Sequence, residues 1–426
     1  MSSPPPDQPP APPPGTPPPL EGVALALVWL ALLAGMALAI ARPDALLLGP
    51  GPAGTPALVH LFTLGVLLGG FTLLQARQWR RLYGVPGAPP ARGLLGPLAL
   101  GLQALGIVLL AWGFLAQRPG LAHLGGHYLV PTAVALQFVM GLLAMRRRPR
   151  GAPRHLAAHL PVLGLMLAVA LGAMLVLDAY QGGYGIYLPG TILVHLLAGA
   201  FLFVLPMSLW GPRAIDLGAL PPAAAPDGPD DAPARAIAGE GLTLQRLVPL
   251  PAAGVLLVAV GQTRADWPWA MPAGLAVLGA VCLWVGLPGR GHWQALSFNA
   301  VRRTPWAAVG MLVLFAALRW WRGAEGAELV AVARFSAVLL LFVVVLPDLL
   351  ARLGLLRLSG EVPATPPTPA EPEAIPPHVG LHYAAQLLGA SLLVAAVATR
   401  MPALVQAGAA VWLLSGLHWG WRLLRG

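Results

Sequence analysis

Long apolar stretches dominate this chain of 426 residues and restrict the folds that it can adopt. Hydrophobic residues make up 57% of the sequence and charged residues only 10%, whereas soluble domains carry about 25% charged residues. A helix needs about 20 apolar residues to cross a bilayer, and roughly twelve stretches meet that length. They are residues 22–41, 57–76, 95–116, 127–145, 156–177, 188–210, 247–263, 268–287, 305–321, 329–351, 380–399 and 403–421. The sequence therefore predicts an all-α fold, a polytopic membrane helical bundle of about twelve transmembrane helices.

Polar, proline-rich segments divide the chain into parts. Residues 1–20 are expected to form a disordered tail, followed by a first half of about six helices at 21–210. The segment 211–246 is polar and is predicted to be a cytoplasmic linker. The second helical half is predicted at 247–426, with an extended proline-rich loop near 357–379.

The charge pattern indicates a membrane orientation. The net charge is +10, and every basic residue apart from histidine is an arginine. Most arginines fall in loops that lie on one side of the bundle if the N-terminus is inside, as cytoplasmic loops require. We therefore expect a bacterial-type inner membrane protein with a cytoplasmic N-terminus. Because the arginines flank apolar spans, the expected partner is the lipid bilayer and not nucleic acid.

Several classes of chemistry are excluded by the motifs that the sequence lacks. Cys282 is the only cysteine, which rules out an internal disulfide, covalent c-type haem, iron–sulfur clusters and thiolate zinc sites. The sequence contains neither a P-loop nor a Rossmann fingerprint nor an H-E-x-x-H motif. No Ser-His-Asp arrangement can be argued from spacing, so the sequence leaves open whether the protein is an enzyme.

Histidines are the residues that point to chemistry. Six of the ten histidines form three pairs with i, i+4 spacing, namely His123/His127, His155/His159 and His378/His382. Two more, His60 and His195, lie within apolar spans. An imidazole in hydrocarbon is costly unless it has a partner or a function. Each of these two is therefore either a metal or haem ligand or a polar contact between helices.

The predicted topology brings four of these histidines to one side. The second and sixth spans both enter from outside, which puts His60 about 5 Å and His195 about 10 Å deep at the rise of an α-helix. The two imidazoles are therefore expected to share a layer in the outer half of the bundle. His123 and His127 are predicted to lie in the outer loop before the fourth span.

Two threonines and two glycines near these histidines each have two possible roles. Thr63 and Thr191 share helix faces with the two histidines within spans. Each threonine either accepts the second ring N–H of a metal ligand or bonds the carbonyl one turn earlier in its own helix. Gly65 and Gly69 form a small-xxx-small face, which would let another helix or a flat cofactor approach closely.

The three histidine pairs differ in how closely they resemble ligand pairs. The first pair encloses two glycines, which makes a regular helix there doubtful. The second follows an arginine cluster and equally fits an interfacial helix end. The third pair, His378/His382, follows Pro376 and Pro377 at a predicted helix start and is the most ligand-like.

Three segments carry a resemblance to a known family. The second span reads H-L-F-T-L-G-V-L-L-G-G-F-T-L-L-Q from His60, the sixth reads T-I-L-V-H-L-L-A-G-A-F-L-F-V-L-P-M around His195, and the eleventh reads H-Y-A-A-Q-L-L-G-A-S-L-L-V-A-A-V-A-T-R from His382. With the twelve-span plan, they resemble the haem-copper oxidase catalytic-subunit superfamily, in particular its NnrS-like relatives. The resemblance implies haem and possible copper held by helix histidines, and a role in nitric oxide or respiratory stress.

The resemblance also implies roles for individual residues. His60 resembles the haem ligand of the second span, His195 the copper ligand of the sixth, and His382 the late-helix histidine of NnrS-like chains. The chain departs from an oxidase because it has no histidine pair at 247–270 and no histidine in the tenth span. We therefore expect no full oxygen-reducing activity. The candidate cofactor ligands are His60, His382 and His378, and the candidate metal ligands are His195, His123 and His127.

Two other functions fit the same sequence. A secondary transporter would share the six-plus-six plan and the central linker, although carboxylates within spans are scarce. An accessory or assembly protein of a respiratory membrane complex would have no site of its own and would dock through its tail and linkers. A bound cofactor would favour a haem- or copper-binding protein over both alternatives. An increase in the melting temperature with an added substrate would favour the transporter.

Overall fold

The chain folds into helices. The computed structural model describes residues 19–47, 54–70, 72–73, 94–146, 166–172, 188–205, 249–263, 266–286, 298–322 and 377–425. These residues are helical apart from short turns and contain no strand, which confirms the all-α prediction. In chain order the α-helices are α1 (Pro19–Ala41), α2 (Asp44–Leu47), α3 (Gly54–His60), α4 (Leu95–Leu115), α5 (Pro119–His123), α6 (Val130–Arg146), α7 (Leu188–Leu197), α8 (Pro249–Thr263), α9 (Ala270–Gly286), α10 (Phe298–Trp321), α11 (Pro377–Thr399) and α12 (Pro402–Arg425).

Three of these helices continue directly into π-helical segments. The segment π1 (Leu61–Leu68) extends α3, π2 (Leu124–Leu129) joins α5 to α6, and π3 (Ala198–Val204) extends α7. A π turn holds one more residue than an α turn, so it shifts the side chains that follow it around the helix axis. Residues 166–172 form a further helical stretch.

Several helices are apolar enough to cross a membrane. Gly22–Ala41, Leu95–Leu115 and Pro119–Leu143 are also long enough to do so, and shorter apolar helices occupy other predicted spans. The helices coincide with most of the predicted spans, whereas the span at 329–351 lies outside the described residues. Membrane association therefore follows from length and composition, and the count of about twelve spans stays a prediction.

Small residues let α1 pack closely against π1. A Cβ built on Gly69 would lie 2.7 Å from Cγ2 of Val28, and one built on Gly65 would meet Cβ of Ala31. Gly35 of α1 in turn leaves space for the ring of Phe62. The small-residue face of the second span therefore receives a helix and not a flat cofactor.

The last helix packs antiparallel to α1. The indole Nε1 of Trp29 donates a hydrogen bond of 2.9 Å to the carbonyl oxygen of Gly416, and Gly420 leaves space for the same indole. Arg400, with φ of 57°, makes the tight turn between α11 and α12. As a result α1 has π1 on one face and α12 on another.

Paired glycines set the distance between neighbouring antiparallel helices. In three such pairs a Cβ built on either glycine would lie 2.6–3.1 Å from the carbonyl oxygen of the other, which is tighter than nearly all real Cβ contacts. The pairs are Gly254/Gly274, Gly279/Gly310 and Gly389/Gly408. These contacts join α8 to α9, α9 to α10, and α11 to α12.

Gly274→Ala is expected to destabilise the bundle by about 1–3 kcal/mol, because an added methyl group must push two backbones apart. The new Cβ would lie 2.6 Å from the carbonyl oxygen of Gly254 and 2.8 Å from the backbone nitrogen of Val258. Gly101→Ala is the matched control, since no atom lies within 4 Å of a Cβ at that position. Thermal unfolding in detergent measures both. Equal melting temperatures for the two variants would contradict this view of helix packing.

Candidate metal centre

His60 is held in one tautomer by its own helix. It is the last residue of α3, and its Nδ1 lies 2.6 Å from the carbonyl oxygen of Pro56, one turn earlier. A carbonyl can only accept a hydrogen bond, so Nδ1 carries the ring proton and Nε2 keeps its lone pair. His60 therefore has the form in which a histidine binds a metal through Nε2.

His195 is held in the same tautomer by a different helix. Its Nδ1 donates a hydrogen bond of 2.7 Å to the carbonyl oxygen of Ala168, which belongs to the helical stretch 166–172. Its ring occupies the space left by Gly172, where an added Cβ would lie 2.9 Å from Cε1 of the imidazole. The helix that contains both Ala168 and Gly172 therefore fixes the orientation of His195.

The two imidazoles lie side by side. Their ring centroids are 6.3 Å apart, and their planes differ by 26°. Two imidazoles that share one metal, with metal–nitrogen bonds of about 2.0 Å, have centroids about 5–6.5 Å apart, depending on the angle at the metal. The separation of His60 and His195 lies within that range, so the two rings would be able to hold one metal ion. Phe114 stacks on His60 with centroids 5.6 Å apart, so this side of the pair is apolar.

Each π-helical segment follows a histidine. The segment π1 begins directly after His60, π2 directly after His123, and π3 three residues after His195. Insertions of this kind are rare in helices and are frequent at functional sites, where they change the direction of the side chains that follow. Their position next to three histidines is the second observation that marks this part of the bundle as a site.

A buried amide chain holds π1 in place. Gln103 of α4 donates from Nε2 to the carbonyl oxygen of Leu64 at 3.1 Å, and its Oε1 accepts a hydrogen bond of 2.8 Å from Nε2 of Gln137. Both glutamine side chains are buried. The chain therefore links the segment that follows His60 to α4 and α6.

Gln103→Leu is expected to lower the stability of the fold by roughly 1–3 kcal/mol, because it leaves the buried Gln137 amide without its acceptor and removes the hydrogen bond to the Leu64 carbonyl. Gln262→Leu is the control, since the Gln262 amide contacts only the sulfur of Met271, at 3.3 Å, which is a weak acceptor. Thermal unfolding in detergent separates the two. A loss for Gln103→Leu no larger than that of the control would mean that the amide chain does not stabilise π1.

His123 and His127 form a second pair of imidazoles. Their centroids are 4.8 Å apart with planes 18° from parallel, and Tyr128 packs edge-on against both rings. They lie in a continuous helix at α5 and π2, and not in the predicted outer loop. The glycines that made a regular helix doubtful are accommodated by π2, where Gly125 packs on the backbone of α4.

His382 lies elsewhere in the bundle. Its Nδ1 is 3.0 Å from Oγ of Ser415, and its ring centroid is 4.9 Å from that of His418. Both neighbours belong to α12, which packs on α1 on a different face from π1. The structure therefore brings His60 and His195 together and places His382 in a separate polar cluster.

Of the other predicted site residues, one hydrogen-bonds within its own helix and the rest are not among the described side chains. The Thr63 hydroxyl donates a hydrogen bond of 2.8 Å to the carbonyl oxygen of Val59, one turn earlier in its own helix. Of its two predicted roles, Thr63 therefore has the one within its own helix and does not contact the His60 ring as an acceptor. His378 lies in α11, but its side chain is not among those described, and the same holds for the Thr191 side chain. His155 and His159 lie outside the described residues. Within the described ranges, no three histidine, cysteine or carboxylate side chains form a metal-binding group.

No family model, curated protein or solved structure matches the chain. Two neutral imidazoles with free Nε2 lone pairs can hold a haem iron or a copper ion. The two backbone carbonyls accept hydrogen bonds from Nδ1–H, and such hydrogen bonds orient the rings and raise the basicity of Nε2.

Proposed function

We propose that this chain is a multi-pass membrane protein that binds a haem iron or a copper ion between His60 and His195. The observation that carries the proposal is the shared tautomer of the two imidazoles, because each donates Nδ1–H to a backbone carbonyl. A neutral imidazole has one donor and one acceptor nitrogen, so a histidine that only joins two helices is expected to use Nε2 as an acceptor as well. Two neighbouring rings, 6.3 Å apart between centroids, whose Nε2 atoms have no hydrogen-bond partner among the described residues fit a shared ligand better.

The surrounding residues suit a metal centre that is shielded from water. Phe114 covers one face of His60, and Gly172 lets the helix of Ala168 approach the His195 ring. A bound haem iron or copper ion would supply one-electron chemistry or the binding of a small diatomic molecule. The protein's part is to hold both rings in a fixed orientation and to exclude water from them.

The biological setting is proposed from the resemblance in the three histidine segments. The protein would lie in a bacterial-type inner membrane with about twelve spans and a cytoplasmic N-terminus. Like NnrS-like proteins, it would act in the response to nitric oxide or respiratory stress, beside respiratory complexes. It would lack full oxygen-reducing activity, because the histidine pair of an oxidase has no counterpart at 247–270.

An absorption spectrum with metal analysis of the purified protein tests the proposal. The protein is produced without a polyhistidine tag, with haem precursor and copper supplied, and is purified in detergent. We expect a Soret band and a pyridine haemochrome if the metal is haem iron, or about one copper per chain if it is not. Protein that is colourless and free of copper under these conditions would contradict the proposal and leave the transporter and assembly functions.

A further inference from the structure

The interface of α11 and α12 contains a polar cluster that the proposed centre does not use. His382, Gln386 and Ser415 are 8–9% exposed there. His382 and Gln386 are one turn apart on the same face of α11, and Ser415 and His418 are neighbours on α12. His418 lies at the surface of the bundle, so the cluster extends from the surface to a buried interior.

The two imidazoles of this cluster are closer together than the first pair. The ring centroids of His382 and His418 are 4.9 Å apart, and the planes are tilted by 30°. With metal–nitrogen bonds of about 2.0 Å, this separation corresponds to ligands at roughly the tetrahedral angle. The Ser415 hydroxyl, 3.0 Å from Nδ1 of His382, provides the second contact that orients a ligating ring.

Gln386 supplies a separate indication that a ligand is needed. Its side chain is 8% exposed, and among the described residues its Oε1 has no hydrogen-bond partner. Its backbone carbonyl is already used, because it accepts a hydrogen bond of 2.7 Å from Nε1 of Trp412. A buried amide oxygen without a donor is costly in a membrane bundle. A cation or a donor between α11 and α12 would remove that cost.

We infer that His382 and His418 form a second metal site, with the amide oxygen of Gln386 as a further ligand. Two imidazoles and one neutral oxygen suit a divalent ion of the zinc or copper class. The ion reaches the site at exposed His418, while buried His382 and Gln386 hold it from the inside. This site shares no residue with the His60–His195 centre.

Metal titration in a background that lacks the first centre tests this inference. The parent is the His60→Ala/His195→Ala double variant, purified without a polyhistidine tag and stripped with a chelator. Zn²⁺ is titrated by calorimetry, and Co²⁺ is used as an absorbing probe of the same site. We expect one saturable equivalent of Zn²⁺ and a Co²⁺ visible spectrum typical of tetrahedral coordination.

Substitutions on α11 and α12 identify the ligands. His382→Ala and His418→Ala should each weaken this equivalent by about 10–100-fold or more, and Gln386→Leu by several-fold. Because His418 is exposed, His418→Ala should fold normally, and its melting temperature without metal checks this. Thr399→Ala is the control on α11, since its exposed hydroxyl bonds only its own helix.

The possible outcomes separate the two sites. If both His382→Ala and His418→Ala lose the saturable equivalent of Zn²⁺, the site is supported, whatever the His60–His195 pair binds. An equivalent that survives both substitutions would place the ion elsewhere and overturn the inference. The absence of any saturable binding by the folded parent would overturn it as well.

Discussion

Replacing His60 or His195 by alanine is expected to abolish metal binding at the centre while leaving the bundle folded. Each variant removes one of the two imidazoles, so a copper ion keeps a single protein ligand and a haem iron loses one of its two protein bonds. Removing either imidazole leaves one backbone carbonyl, that of Pro56 or Ala168, without its side-chain donor. This is a small change, so the variant should still fold. We expect the Soret band or the copper content of each variant to fall by at least about tenfold. Absorption spectra and metal analysis at equal protein concentration measure the loss.

Thr63→Ala is the matched control for these variants. Thr63 lies one turn after His60, but its hydroxyl bonds only the carbonyl of Val59. Its spectrum and metal content should therefore equal those of the parent. If His60→Ala also retains the parent spectrum, His60 is a polar packing residue, and the proposed function fails.

Gly172→Leu is expected to have the second largest effect. A Cβ at this position would lie 2.9 Å from Cε1 and 3.4 Å from Nδ1 of His195. A leucine side chain would therefore push the imidazole away from the Ala168 carbonyl and out of line with His60. We expect a shifted spectrum or a loss of metal of about tenfold or more, because the ring orientation depends on that hydrogen bond.

Gly101→Leu is the control for this bulky substitution. No atom lies within 4 Å of a Cβ at Gly101, so the same added side chain has space there. The control should keep both its spectrum and its melting temperature. An unchanged spectrum in Gly172→Leu would show that the position of the His195 ring does not matter to the centre.

The helices were predictable because their signal is local. Apolar stretches of about 20 residues identify spans by length alone, and α1 and α4 end within one residue of the predicted spans. The helix around His123 and His127 was missed because two adjacent glycines normally disfavour a helix. It forms because Gly125 packs on the backbone of α4, and no pattern within that segment of the sequence predicts this contact.

Only part of the candidate site could be predicted from the sequence. The depth of His60 and His195 in their spans predicts a shared layer, and the two rings do lie together. The Ala168 carbonyl, Gly172 and Phe114 come from other helices, and no spacing rule connects them to either histidine.

The α11–α12 cluster shows the same limit of local patterns. The spacing of His378 and His382 indicates a ligand pair within α11. The described partner of His382 is instead His418, on the next helix. The way in which α11 packs against α12, and not spacing along the chain, decides this pairing, so no local pattern predicts it.

X-ray absorption at the iron or copper edge of the purified protein tests the central claim most directly. We predict two imidazole ligands at about 2.0 Å from the metal, and the loss of this signal in the His60→Ala/His195→Ala double variant. A bound metal whose imidazole scattering is the same in the parent and in the double variant would contradict the claim.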